Sequence, residues 1–401
     1  MLKKWFTYLI LLIICNANGQ QYNFRTYSLK EGLSRSGVYY VLQDAKGFLW
    51  IGTEGGGLCK FDGYSFINYT RQDGLPSENV RFIFEDSKGT LWLGTDKGLC
   101  YKNGNSFKTI NTSDGLCNDF VRTIDEDING DLWIGTSFGI SNIDTKSKKI
   151  ISPKFNFRLP HQKVRTILID SATIWIGTDK GLCRFNNNHF SVLTTESGLS
   201  NNLILSLFKD SKNNLWIGTK NGVTKLSGNN RIEYWTEVNG IINKRVRSIN
   251  EDVYGNIWLG TKNGISIFNG RDFLNLSTKN GLSNERIRCI SHDYFGNIWL
   301  GSYFGGIMRF NYKDFIAFNK KDNLISNQIT CISEDEKGDL IVGSYEGVSK
   351  LKIRDNKLIS VKHVSYKEGL LNNHVNCVLK DNNGYYWYGT DVGITVLKNN
   401  T

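Results

Sequence analysis

Leu91-Trp92-Leu93-Gly94-Thr95-Asp96-Lys97-Gly98-Leu99 is the stretch whose reading decides the fold. A short apolar run centred on a tryptophan, Leu-Trp-Leu-Gly-Thr, reads as a strand. Asp-Lys-Gly then reads as a tight turn, with glycine supplying the left-handed position. Upstream, Asp86-Ser87-Lys88-Gly89 is another turn signal, because the aspartate side chain accepts from the turn backbone. Before it, Val80-Arg81-Phe82-Ile83 reads as a strand. Downstream, a third strand runs through Tyr101 and a fourth through Phe107-Lys108-Thr109-Ile110. The unit is four short strands joined by hairpins.

The same grammar recurs along the chain. Its anchors are Trp50, Trp92, Trp133, Trp175, Trp216, Trp258 and Trp299, spaced by 41 or 42 residues, with Ile341 and Trp387 at the eighth and ninth places. A four-stranded unit of this length, repeated, predicts an all-β fold: a β-propeller of four-stranded blades, spanning residues 20–401. Either nine blades form one ring, or seven form a ring and two repeats are left over. The single ring is preferred, because leftover blades expose a strand edge. Phe24-Arg25-Thr26-Tyr27-Ser28 reads as a fourth strand, and the ninth copy ends on its third, Ile394-Thr395-Val396-Leu397. The N-terminal strand is therefore expected to complete the last blade. The fourth copy shortens its turn (Asp170-Ser171-Ala172-Thr173), and the fifth replaces the turn glycine by Asn213.

Residues 1–19 read as a secretory signal peptide. Lys3 and Lys4 precede an apolar run from Trp5 to Ile14, and Ala17-Asn18-Gly19 supplies small residues for cleavage before Gln20. Lipidation at Cys15 is the alternative. The mature chain is expected in the periplasm. Its formal charge, +11 with the leader, suits either a solvated surface or attraction to polyanions, and an exported chain is a poor nucleic-acid binder. Cys59, Cys100 and Cys183 share one register position; Cys289, Cys331 and Cys377 share another. Equivalent sites on successive blades lie about 10 Å or more apart, beyond disulfide reach, so these are expected to be buried thiols.

Asp-x-x-Gly-x-Leu-Trp-Ile-Gly-Thr-x-x-Gly-Leu, preceded by Asp-Gly-Leu, resembles the two-component regulator propeller repeat over residues 24–397. That family builds the periplasmic sensors of hybrid two-component systems in Bacteroidetes-type bacteria. The resemblance implies two seven-bladed propellers, an immunoglobulin-like module, a membrane helix, a histidine kinase, a receiver and a DNA-binding domain, with oligosaccharide ligands. This sequence departs from that pattern: it holds nine repeats and no kinase, receiver or helix-turn-helix sequence. The resemblance therefore implies a stand-alone or truncated ligand-binding sensor that signals through a partner such as a membrane histidine kinase.

By analogy with the fold, the axial face that carries the Thr-x-x-Gly turns is the binding surface. Arg81, Arg122, Arg165, Arg247 and Arg288 recur just after the first aliphatic residue of the first strand. Two readings stand: a collar for carboxylates or sulfates, or local ion pairing with Glu78, Asp119 and Glu285. Phe138, Tyr303, Phe304 and Tyr345 sit in Thr-x-x-Gly-type turns, where rings stack on sugars or pack between blades. His161 and His374 fall on the same face. Glu54-Gly55-Gly56-Gly57 adds one residue to its turn and is expected to widen access; Trp235, outside the repeat register, is expected to pack.

No catalytic residue, metal site or cofactor is expected, since the five histidines are dispersed without ligand spacing. A protein-binding scaffold and a propeller lyase or hydrolase remain as other classes. Convergent His and Glu side chains on the axial face would mark the lyase. The homodimer stays open.

Overall fold

The computed structural model describes residues 22 and 24–398, apart from 105, 146, 148, 229–230, 312–317, 355–356 and 382. The expected signal peptide, residues 1–19, and Cys15 lie outside the described residues. The chain divides into two compact units, residues 1–313 and 314–401.

The first unit is a closed ring of seven four-stranded antiparallel blades. Blade 2 shows the pattern: Val80–Glu85 is innermost, then Leu91–Thr95, Gly98–Asn103 and, outermost, Ser106–Ile110. Inner strands of successive blades pack against one another around the axis. The seventh, Ile287–His292, packs back against the first, Val38–Gln43. Of the two expected arrangements, seven blades with two repeats left over is the one found, and the preferred ring of nine is corrected. The N-terminal strand does complete a blade, but the seventh: Phe24–Tyr27 pairs antiparallel with Ile307–Phe310. The second unit holds the two remaining repeats, one four-stranded and one three-stranded (Val375–Lys380, Tyr385–Thr390, Gly393–Lys398).

One interaction shapes each turn. In blade 2, Asp86 Oδ1 accepts from the Lys88 and Thr90 N–H groups, at 3.0 and 2.7 Å, and Oδ2 accepts from the Trp92 indole at 2.8 Å. The indole bond recurs from Trp50, Trp133, Trp216, Trp258, Trp299 and Trp387 to Asp44, Asp127, Asp210, Asp252, Asp293 and Asp381, at 2.7–3.0 Å. Asp86 is almost fully buried and needs these donors, since a buried carboxylate without them is expensive. Blade 4, one residue shorter here, forms no such bond; Asp170 pairs with Lys209 instead. In the eighth copy, where Ile341 replaces the tryptophan, the Lys350 ammonium reaches Asp335 at 3.0 Å. Burial raises the Asp335 carboxyl, but Lys350 and the backbone N–H groups of Asp339 and Lys337 outweigh it and hold the group down to about 2.

Blades meet where glycine follows the tryptophan. A Cβ on Gly52 would lie 2.4 Å from the Val80 carbonyl oxygen, so only glycine lets the next inner strand approach. Side chains then bridge blades. Ile169 N–H donates to Asp125 Oδ2 (2.7 Å), and Ile290 N–H to Ser248 Oγ (2.8 Å). Burial pushes the Asp125 carboxyl up to about 6. Cys59, Cys100, Cys183 and Cys289 are buried, and burial raises their thiols, those of Cys100, Cys183 and Cys289 to about 12. Trp235 packs as expected, stacking on Trp216 with centroids 5.5 Å apart.

Asp86→Ala strips acceptors from the indole and two backbone N–H groups and is expected to cost about 2–4 kcal/mol. Asp170→Ala removes only a half-exposed pair and is expected to cost about 1 kcal/mol or less. Urea unfolding of the two variants gives the comparison. Asp125 has a folded value above its unfolded one, so its contribution is present below about pH 4 and lost as pH rises through 6. Asp125→Asn is therefore expected to gain melting temperature relative to wild type on going from pH 4 to pH 7, read by calorimetry at each pH.

Candidate functional site

Each inner strand of the ring carries a β-bulge directly after its first residue. In blade 2, Val80 pairs with Thr95 and Phe82 with Gly94, leaving Arg81 without a partner residue across the strand. The residues so placed are Tyr39, Arg81, Arg122, Arg165, Leu205, Arg247 and Arg288. A bulge re-aims the extra residue's side chain. All seven, together with Arg245, line one cavity of about 300 Å³ at the axial end of the ring. The five arginines expected to form a collar are thus brought together. Arg245 was not anticipated: it lies two residues before Arg247, off the repeated position. Tyr39 and Leu205 could have been found by aligning the copies, since they occupy the arginine's place.

The anticipated ion pairs with Glu78, Asp119 and Glu285 are replaced by others among the described residues. Arg165 pairs with Asp179, and Arg288 Nη1 lies 2.9 Å from Glu54 Oε2. Both acids come from the turn after the tryptophan strand. Asp119 and Glu285 instead accept from the backbone N–H groups of Thr112 (2.8 Å) and Thr278 (3.2 Å), at the starts of short 3-10 turns. The extra residue in Glu54-Gly55-Gly56-Gly57 goes with a carboxylate placed against the collar: Glu54 also accepts from the Tyr39 hydroxyl at 2.9 Å.

Aromatic rings lie against three of the guanidiniums, those of Arg81, Arg122 and Arg288. Arg81 lies 4.6 Å from the Tyr39 centroid and 4.4 Å from that of Phe120, and Arg122 lies 4.4 Å from Phe120. Arg122 Nε donates to Ser137 Oγ at 3.0 Å. Arg288 lies 3.9 Å from the Tyr303 ring. Burial, then the neighbouring arginines, pulls the Arg122 and Arg247 guanidiniums down to about 10.

Of the expected aromatics, Tyr303 joins the collar, and Phe304 meets it edge-on at 4.2 Å while staying 63% exposed. Phe138 is exposed on the blade 3 turn. His161 Nδ1 accepts from the Lys163 N–H at 3.0 Å. Tyr345 and His374 do not belong to the ring. They lie in the second unit, edge to face at 4.1 Å, with His374 against Asp391 at 2.5 Å. Their grouping with the collar assumed one ring. Among the described residues, no set of three or more His, Cys, Asp or Glu side chains is arranged to hold a metal ion.

This ring of tryptophan-anchored blades is a β-propeller. Seven segments match the two component regulator propeller repeat: residues 32–55, 74–97, 115–138, 198–221, 240–263, 281–304 and 369–392. Seven of the nine copies are thus two component regulator propeller repeats. The fourth and eighth copies, outside these matches, are those lacking the Asp–Trp bond. None of the curated proteins matches in sequence.

Among solved structures, the chain resembles extracellular domains ascribed to the hybrid two component systems BT3049 and BT4673 of B. thetaiotaomicron. For BT3049 the TM-score is 0.68 at 24% identity, covering 94% of this chain and 53% of the other. For BT4673 it is 0.62 at 24%, covering 95% and 52%. The chain therefore spans about half the length of these relatives. Virginiamycin B lyase from Staphylococcus aureus aligns at TM-score 0.58 and 16% identity, over 72% of this chain and 98% of the lyase.

Glu54→Gln leaves the nearly buried Arg288 without its carboxylate. It is expected to lower stability by on the order of 2 kcal/mol, less than for a fully buried pair because Glu54 is partly exposed. Adding Arg288→Gln is expected to recover most of that loss in a double-mutant cycle measured by chemical denaturation.

Proposed function

We propose that the chain is an exported ligand-binding sensor propeller of a two-component signalling system, taking an oligosaccharide at the axial face of its seven-blade ring. Its output then passes to a partner, a membrane histidine kinase being the class that fits. The observation that carries this reading is the arginine-lined cavity with Tyr303 and Phe304 beside it: a concavity of the volume ligands occupy, with donors converging on it. The family of the repeats and the fold shared with extracellular domains of hybrid two component systems support the sensor role. Among the described residues no helix is long and apolar enough to cross a membrane.

The lyase fold likeness keeps a second reading in view, but the cavity lining consists of arginines, one tyrosine and one leucine, with neither a histidine nor a carboxylate. Such a lining binds charge and offers no general base. Thermal-shift measurements on the chain from Gln20 onward, against a panel of neutral and acidic oligosaccharides, test the proposal. At a hundredfold excess over Kd a ligand stabilises by about 2.7 kcal/mol, readable as a shift of several degrees. A flat response across the panel removes the sensor reading's main support.

A further inference from the structure

We infer that the collar is an oxyanion site, taking a carboxylate or sulfate group of an acidic saccharide among Arg81, Arg122, Arg245 and Arg247. This rests on the oligosaccharide reading above and narrows it to acidic saccharides. Six arginines line the cavity, and two of them, Arg165 and Arg288, are matched by Asp179 and Glu54. Among the described residues, no carboxylate pairs with the other four. A cluster of like charges held together in a partly buried cavity is unfavourable without a counter-ion; burial first, and then the neighbouring arginines, lowers the Arg122 and Arg247 guanidiniums.

The donors are also incompletely used. Arg81 Nε and Arg245 Nε are buried and have no hydrogen-bond partner. A guanidinium resting on aromatic rings, as Arg81 does on Tyr39 and Phe120, offers the planar fork that matches carboxylate and sulfate oxygens. An anionic group answers both deficits, supplying acceptors and countercharge together. A sugar hydroxyl supplies acceptors alone. The site is built by the fold, because Arg81, Arg122 and Arg247 all stand on bulges at one register position.

The test is thermal shift on the chain from Gln20 onward with four probes: a uronic-acid oligosaccharide, its neutral counterpart, a sulfated disaccharide and inorganic sulfate. Each is run at low and high salt on wild type, R122Q/R247Q, R247Q alone and the control K212Q, which lies in a turn at the opposite end of a blade. The expected result is a shift with both acidic saccharides that shrinks at high salt, little shift with the neutral sugar, and a smaller one with sulfate. R122Q/R247Q is expected to melt higher than wild type without ligand and to weaken acidic-saccharide binding about tenfold or more, with K212Q unchanged. R247Q gives the same directions at smaller size and serves if the double variant does not fold.

Equal shifts from neutral and acidic sugars overturn the oxyanion site and leave the oligosaccharide reading standing. A shift from sulfate as large as from the saccharides keeps the oxyanion site and overturns the saccharide ligand. No shift with any probe overturns both. Arginine variants that lose stability without ligand yet keep the full shift overturn the site.

Discussion

The bond from the indole N–H to the turn aspartate is the constraint on which the rest of the structure depends. It fixes the tryptophan strand against the turn that precedes it, and the carboxylate closes that turn with its other oxygen. With the strand fixed, the glycine two residues after the tryptophan comes to where the next blade must approach, as Gly52 does beside Val80. That approach sets the inner strands side by side around the axis. Their bulges then turn one residue per blade toward a common centre. Blade 4, which lacks the indole bond, still presents Arg165 on its bulge, so the bond supports this arrangement without deciding it alone. The eighth copy shows the constraint met by other means, with an ammonium in place of the indole.

The repeat, the four strands per copy and the two turn signals were legible in the sequence because each is local: period, alternation and turn chemistry sit within a few dozen residues. Ring closure was not. Nine similar copies carry no mark of where the circle shuts, since closure depends on a small angle summed over blades. Phe24–Tyr27 has the same character as any outer strand, and pairs with blade 7 rather than the last blade for that geometric reason. Assigning Tyr345 and His374 to the collar's face followed from the same gap.

The arginine collar was half legible. Its repetition showed in the sequence, but its partners did not. Acids preceding the inner strand looked nearest in sequence, yet Asp119 and Glu285 serve their own 3-10 turns, while Glu54 and Asp179 reach the collar from the hairpin after the tryptophan. The bulge itself had a signal. Val80 and Ile83 are both buried although they are three residues apart, which strict alternation forbids and one extra residue permits. The residues that make the blade are buried and recur with little change. The residue on the bulge, free of that duty, varies as Tyr39, Leu205 or arginine, and there the ring acquires its chemistry.

The closing strand has a consequence for how the molecule forms. Tyr27 pairs with Ile307, Glu54 reaches Arg288, and Gln43 accepts from the Tyr294 N–H at 2.7 Å, so these bonds link the start of the ring to its seventh blade. Contacts so distant along the chain carry the largest loop-closure entropy and form late. During synthesis the first blades wait with an unmatched flank until some 300 residues have followed them. The collar, whose members come from both sides of the join, is therefore among the last parts of the ring to be assembled and among the first to be lost when the join opens.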